Sequence, residues 1–277
     1  MTPLRVRVCG RLSLDRGAAI VREADLPARQ GRRLWVFLVL RRRLPVPRDE
    51  IAEAVWGDDA PEAWDAALNA LVSRLRAALR PLARTASPDV AIQSDVGRYA
   101  LALPENVCVD FERARWGRHE ADRLFARGEY GAALAEARVA MEIAGRGLLP
   151  GEEAPWIQGH RRALAEIHVH ALECTVESEL RRGRPEIAER EAEALVALDP
   201  LREEGYRLLM RAMSARGHPA EAGRVLADCR RVFRGAGMNP APLILRGRFA
   251  SPRREQAGLS PSPETERLFR QITGSTR

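Results

Sequence analysis

Residues 60–80, "APEAWDAALNALVSRLRAALR", decide how the first part of this chain folds. At 100° per residue, Trp64, Leu68, Leu71, Val72, Leu75 and Leu79 fall within one arc of about 80°, the stripe of a helix laid on a core. Asn69, Ser73 and Arg80 project away from that arc, flanked by Arg74 and Arg76. Asp59 with Glu62 three residues on resembles a capping box, and Pro61 suits a first turn, so this spacing predicts a helix starting near residue 60.

Working outward, "LRVRVCGRLSL" at 4–14 alternates polar and apolar side chains, the period of half-buried strands, and Gly10 and Gly17 punctuate it. From Arg29 the period changes, with Leu34, Phe37, Leu38 and Arg41 marking a helix that stops before "LPVPRDE", where two prolines break it. "RDEIAEAVWG" then forms a second helix ending at Gly57. Beyond the third, "VAIQSDVGRYALAL" at 90–103 predicts two strands joined at "SDVGR", with Gly97 supplying the positive φ of a hairpin turn.

Strands, three helices and a closing hairpin are the element order of a winged helix-turn-helix. In that architecture the third helix packs one face on the domain and offers the other to the DNA major groove. An Arg-studded helix face taken alone is more often simply solvated. The hairpin changes that balance, because Arg98 at its turn suits a phosphate backbone or a minor groove. The candidate DNA-binding residues are therefore Asn69, Ser73, Arg74, Arg76, Arg80 and Arg98.

Composition agrees with a polyanion partner for part of the chain. All 45 Lys+Arg residues are arginine, which excludes a P-loop lysine, a Schiff base and a kinase-type lysine. Of the formal charge of +7, residues 1–103 carry 17 Arg against 12 Asp+Glu, residues 104–234 carry 21 against 23, and residues 235–277 carry 7 against 3. A basic N-terminal portion beside a nearly neutral middle suggests that only the former meets DNA. Cys9, Cys108, Cys174 and Cys229 lack disulfide or zinc spacing, and the longest apolar run, "LWVFLVL" at 34–40, is far too short to span a bilayer. A cytoplasmic protein without membrane attachment is expected.

From Asp110 onward, long Ala/Leu/Glu/Arg helices take over. "RGEYGAA" at 127–133, "RGRPEIA" at 182–188 and "RGHPAEA" at 216–222 echo one another, each with Arg-Gly and then Ala five residues after the Gly. Gly183 and Gly217 lie 34 residues apart, the tetratricopeptide period, with Gly ending one helix and Pro185 or Pro219 opening the next. Plain antiparallel helix packing is the competing reading. "IHVHALEC" sets His170 and Cys174 four apart on one helix face, but no further ligand is signposted, so a packed or surface histidine is expected rather than a metal site. "GRGLLPG" at 145–151 has no preceding strand and reads as a loop. No nucleophile or metalloprotease motif is present, so neither an enzyme nor a cofactor is expected.

The two halves together resemble the SARP family (Streptomyces antibiotic regulatory proteins), which joins an OmpR-type winged helix to a bacterial transcriptional activator domain. The resemblance rests on "RDEIAEAVWGDDAPEAWDAALNALVSRLRAALR", "VGRYALAL", "VDFERA", "GRGLLPGEEAPWIQGHRRALAEIHVHALE", "LDPLREEGYRLLMRAMSARGHPAEA" and "LSPSPETERLF", covering about residues 4–233 and 256–272. It implies an activator that occupies direct repeats of double-stranded DNA upstream of promoters and recruits RNA polymerase, as a homodimer or as tandem copies. It also places Ser73, Arg74 and Arg76 in the recognition helix and Arg98 in the wing; Asn69 and Arg80 come from the helical wheel.

Two departures stand out. Large family members append a P-loop ATPase, whereas this chain ends without one, which reads as a small, ATP-independent type. Residues 235–254, rich in Gly, Pro and Arg, intervene before "GLSPSPE" and read either as a loop or disordered insertion open to trypsin or as an error in the coding sequence. The expected organisation is a mixed fold: an α+β winged helix-turn-helix at 1–103 followed by an all-α, tetratricopeptide-like domain at 104–277. The alternative function is a protein-interaction scaffold with a vestigial winged helix.

Overall fold

The computed structural model describes residues 2–82, 90–238 and 260–274. It divides into two compact units, Met1–Arg113 with Arg146–His160, and Ala114–Gly145 with Arg161–Arg277. The first unit therefore extends past residue 103 and takes in a distant segment that the sequence division places with the helical remainder.

In chain order the first unit contains β1 (Arg5–Arg7), β2 (Ser13–Arg16), β3 (Ala19–Arg22), α1 (Ala28–Leu40), β4 (Val46–Pro47), α2 (Arg48–Trp56), α3 (Trp64–Leu79), β5 (Ala91–Asp95), β6 (Arg98–Ala102) and β7 (Cys108–Val109). One sheet has the order β3-β2-β1-β7, with β7 parallel to β1, and the other has the order β4-β6-β5. Gly10 and Gly17 hold φ of +79° and +62° at the turns around β1 and β2, as expected of punctuating glycines. The alternating pattern of β1 and β2 sends Val6 and Leu14 inward, opposite one another in the pairing.

From Leu34 to Val39 helix α1 is buried all round: Trp35, Val36 and Val39 are as enclosed as Leu34, Phe37 and Leu38. The third helix begins at Trp64 rather than near residue 60, with no side-chain cap. Residues Gly57–Asp59 form a 3-10 turn instead. Ala60 is extended, with ψ of 129°, because the ring of Pro61 disfavours helical backbone in the residue before it. The apolar arc is otherwise as the wheel gives it, with Leu68, Leu71, Val72, Leu75 and Leu79 buried and Trp64 half-buried.

Residues 146–160 serve the first unit through several contacts. Leu148 bridges Cys9, and the Gly10 amide donates to the Gly147 carbonyl at 2.8 Å. Trp156 stands edge-on to Phe37 at 5.2 Å between centroids and donates its indole N–H to the Ala54 carbonyl at 3.0 Å. Buried Glu152 accepts hydrogen bonds from Arg29 and Arg33 of α1. Burial pushes its carboxyl up, but those hydrogen bonds outweigh burial and hold it below the ordinary range. Asp110 closes the unit from the other side, accepting from the Val8 and Cys9 amides at 2.9 and 3.1 Å.

The helices beyond β7 are α4 (Asp110–Ala126), α5 (Tyr130–Gly145), α6 (Pro155–Arg181), α7 (Pro185–Leu198), α8 (Glu203–Ala215), α9 (Ala222–Met238) and α10 (Pro263–Gly274). The three echoing segments are three copies of one helix ending. Gly128, Gly183 and Gly217 have φ of +80°, +70° and +84°. The residue after each donates back to the carbonyl five positions earlier: Glu129 to Leu124, Arg184 to Glu179, and His218 to Met213, at 2.9–3.0 Å. This is the Schellman termination that glycine favours. Pro185 opens α7, whereas Pro219 opens a 3-10 turn, Pro219–Glu221, and α9 starts three residues later.

In the second unit Leu172, Val176, Ala188, Ala192, Leu195, Tyr206, Leu209, Leu226, Cys229 and Phe233 form one core of stacked helices. Leu268, Phe269 and Ile272 of α10 pack against it, and Glu203 accepts from the Ser262 amide and hydroxyl and from the Thr265 hydroxyl at 2.6–3.0 Å. Of the insertion expected at 235–254, residues 235–238 form the end of α9 and not a loop, because the helix runs on through Met238, and residues 239–254 lie outside the described residues.

Candidate nucleic-acid interface

Helix α3 presents one flank to the core, and its other flank carries the candidate residues. Asn69, Ser73, Arg74, Arg76 and Arg80 are all exposed, as is Arg98 on the hairpin. The hairpin is a two-residue turn, Val96-Gly97, between the paired Asp95 and Arg98, with Gly97 at φ +72°. Val96 at its tip is 95% exposed. The Arg48 amide donates to the Gly97 carbonyl at 3.2 Å, tying the turn to the start of α2.

The candidates divide by what their side chains touch. Arg76 turns toward the hairpin: its Nε and Nη2 both donate to the Ile92 carbonyl of β5, at 3.1 and 2.8 Å. Its guanidinium also stands 6.0 Å from the centre of the Tyr99 ring. Asn69 joins a network that sequence reading did not include. Arg48, at the start of α2, donates Nη2 to Asn69 Oδ1 at 2.9 Å, Nη1 to the Tyr99 hydroxyl at 2.8 Å, and Nε to Asp65 Oδ1 at 2.9 Å. The Tyr99 hydroxyl in turn donates to Asn69 Oδ1 at 2.9 Å. Burial works against the Arg48 charge, but Asp65 and Tyr99 hold its pKa above the ordinary value.

Arg48 and Arg76 thus flank one aromatic ring, with Arg48 5.2 Å from its centre. Tyr99 is buried and carried by β6, so the hairpin, α2 and α3 are locked as one piece. Arg48, Asp65 and Tyr99 give no local signal: their partners lie 17 to 51 residues away, and only the packed structure pairs them. Ser73, Arg74, Arg80 and Arg98 make no side-chain hydrogen bond or ion pair to any described residue, so their donors face outward.

The other sequence candidates have partners within the fold. His170 Nε2 lies 2.6 Å from Asp122 Oδ1, and its Nδ1 lies 3.6 Å from Glu173. Cys174 is buried with its Sγ 4.0 Å from the Ser178 hydroxyl, and burial pushes its thiol up to about 11. Among the described residues no group of three or more His, Cys, Asp or Glu could hold a metal ion. No described helix is long and apolar enough to cross a membrane.

Comparison with known proteins shows the kind of regulator this chain resembles. Residues 109–247 match the family model of the bacterial transcriptional activator domain, and residues 22–97 match that of the transcriptional regulatory protein C-terminal domain. The chain is 31% identical over 214 residues to the regulatory protein AfsR of Streptomyces coelicolor, covering 77% of this chain and 21% of that protein. It is 30% identical over 246 residues to AfsR of Streptomyces griseus, covering 86% and 23%. It spans less than a quarter of the length of these relatives. The solved structure of Mycobacterium tuberculosis EmbR in complex with a low affinity phosphopeptide superposes with a TM-score of 0.79 at 22% identity, covering 100% of this chain and 66% of that one. At that identity the likeness concerns the fold.

Proposed function

This chain belongs to the SARP family of transcriptional regulators, and from that premise we propose that it activates transcription by binding double-stranded DNA through α3 and the β5–β6 hairpin. The observation that carries the proposal is the division of labour on α3. Arg76 and the Arg48–Tyr99 pair fix the hairpin beside the helix, while Asn69, Ser73, Arg74, Arg80 and Arg98 present exposed polar groups on the same two elements. In this reading α3 enters the major groove, Asn69, Ser73 and Arg74 meet base edges, and Arg80 and Arg98 take phosphates. Arg76 acts from behind as the residue that positions the wing.

The stacked helices of the second unit hold a second copy of the chain or RNA polymerase, so that direct repeats are occupied together and the polymerase is recruited. The protein works in the cytoplasm, without catalysis or a cofactor. A gel shift of the full chain across a salt series tests the central claim. Neutralising each phosphate on duplex DNA contributes about −0.9 to the slope of log affinity against log salt, so several contacts give a steep fall, together with preference for one sequence over competitor DNA. Binding that ignores both salt and sequence overturns the proposal and favours the protein-interaction scaffold.

A further inference from the structure

The network around Asn69 restricts what that residue can read, an inference that rests on the DNA-binding proposal above. A carboxamide oxygen has two lone pairs. Both are engaged at Asn69: Arg48 Nη2 and the Tyr99 hydroxyl each donate to Oδ1 at 2.9 Å. The orientation of the amide is fixed by chemistry, because arginine has donors only and the atom facing Arg48 must be the oxygen. The Tyr99 hydroxyl already accepts from Arg48 Nη1 at 2.8 Å, so its own proton is free to go to Asn69. Arg48 is itself held by Asp65, and Tyr99 is buried, so neither donor is a loose surface group. Asn69 is left with the two N–H bonds of Nδ2 on an exposed flank of α3.

We propose that Asn69 reads the major groove as a donor only, recognising an acceptor on a base edge and barred from the two-point contact with adenine. That two-point contact needs the amide oxygen to accept from the adenine 6-amino group while the amide nitrogen donates to N7. With its oxygen occupied, Asn69 can satisfy guanine N7 or O6, adenine N7 or thymine O4, and it has nothing to offer an exocyclic amine. Arg48 and Tyr99 are accordingly positioning residues for sequence preference.

The test uses the full chain. Selection from randomised duplex DNA gives the preferred sequence, and repeating it with Asn69→Ala identifies the base position whose preference is lost. At that position each acceptor is deleted in turn: N7 with a 7-deazapurine, guanine O6 with 2-aminopurine, and thymine O4 with 5-methylpyrimidin-2-one. An amine is deleted by replacing adenine with unsubstituted purine. Acceptor deletion should weaken wild-type binding about tenfold and leave Asn69→Ala binding unchanged, whereas amine deletion should not affect the wild type. An Asn69-dependent loss on amine deletion overturns the inference, as does an Asn69→Ala variant whose base preference matches the wild type. In both cases the DNA-binding proposal survives. A selection that returns no preferred sequence removes both.

Discussion

Replacing Arg76 with alanine separates its two conceivable roles, holding the hairpin and touching DNA. In the structure its Nε and Nη2 bracket one carbonyl, that of Ile92, at 3.1 and 2.8 Å, and its guanidinium faces the Tyr99 ring at 6.0 Å. A hydrogen bond from a charged donor contributes about 1.5–3 kcal/mol, and a cation–π contact at an exposed site adds about 0.5–1 kcal/mol. Arg76 is solvent-exposed, so water competes for its donors and brings the sum below that range, to about 1–2 kcal/mol. The better helix propensity of alanine offsets only a few tenths of that. A loss of this size multiplies the open fraction of the hairpin by about 5–30. Amide hydrogen exchange, followed by peptide mass spectrometry on the full chain, reads it directly. Residues 91–102 should exchange about 5–30 times faster in Arg76→Ala, while β1 to β3 keep their wild-type protection, and Arg76→Lys should recover only part of the loss because one ammonium cannot bracket the carbonyl as a planar fork does. Unchanged exchange in the hairpin, together with a collapse of sequence-specific binding, would refute this reasoning and return Arg76 to the base-reading set.

Three further outcomes follow from the same geometry. Glu152→Gln should destabilise the first unit by about 2–3 kcal/mol, below the ~3–5 kcal/mol of a fully buried pair because Arg29 remains largely in water; denaturant titration read by tryptophan fluorescence reports it, since Trp35, Trp56, Trp64 and Trp156 lie in that unit. The folded carboxyl of Glu152 sits below its unfolded value, so its stabilisation is present above about pH 4.3 and is lost as pH falls through the depressed value; the Gln variant should lose that part of the acid sensitivity, and an unchanged acid transition would remove the assignment. Arg98→Ala should weaken binding to all DNA sequences nearly equally and flatten the salt slope by about 0.9, whereas a change confined to one base position would mean that Arg98 reads a base. Finally, a fragment of residues 1–103 lacks Asp110, Glu152 and Trp156 and should unfold at a lower denaturant concentration than a fragment of residues 1–160; equal midpoints in circular dichroism would show that those contacts contribute nothing.

Much of the first unit was legible because its signals are local. The arc from Leu68 to Leu79, the alternation around Val6 and Leu14, and the glycine at position 97 each act through backbone geometry within a few residues. The same holds for the glycine endings at 128, 183 and 217, where the sequence echo and the Schellman hydrogen bonds are one fact seen twice. The start of α3 was misplaced because two local rules conflicted: a capping pattern at Asp59 and Glu62 pointed to residue 60, while Pro61 held Ala60 extended.

The candidate site was legible only as a face. Helical spacing places Asn69, Ser73, Arg76 and Arg80 away from the core, and charge counting makes the N-terminal portion basic, but neither tells an outward donor from one turned back onto the fold. That distinction depends on partners far along the chain: Ile92 for Arg76, and Arg48 with Tyr99 for Asn69. Residues 146–160 make the same point at the level of the unit, for nothing local in "RGLLPGEEAPWIQGH" signals that Glu152 will meet Arg33 or that Trp156 will meet Phe37, more than a hundred residues earlier. Sequence by itself determined the elements and the family, because periodicity, turn residues and motif order are written within short windows. Tertiary structure decided which side chains are spent inside the fold and which remain to act, because a hydrogen bond is settled by distance in space and not along the chain.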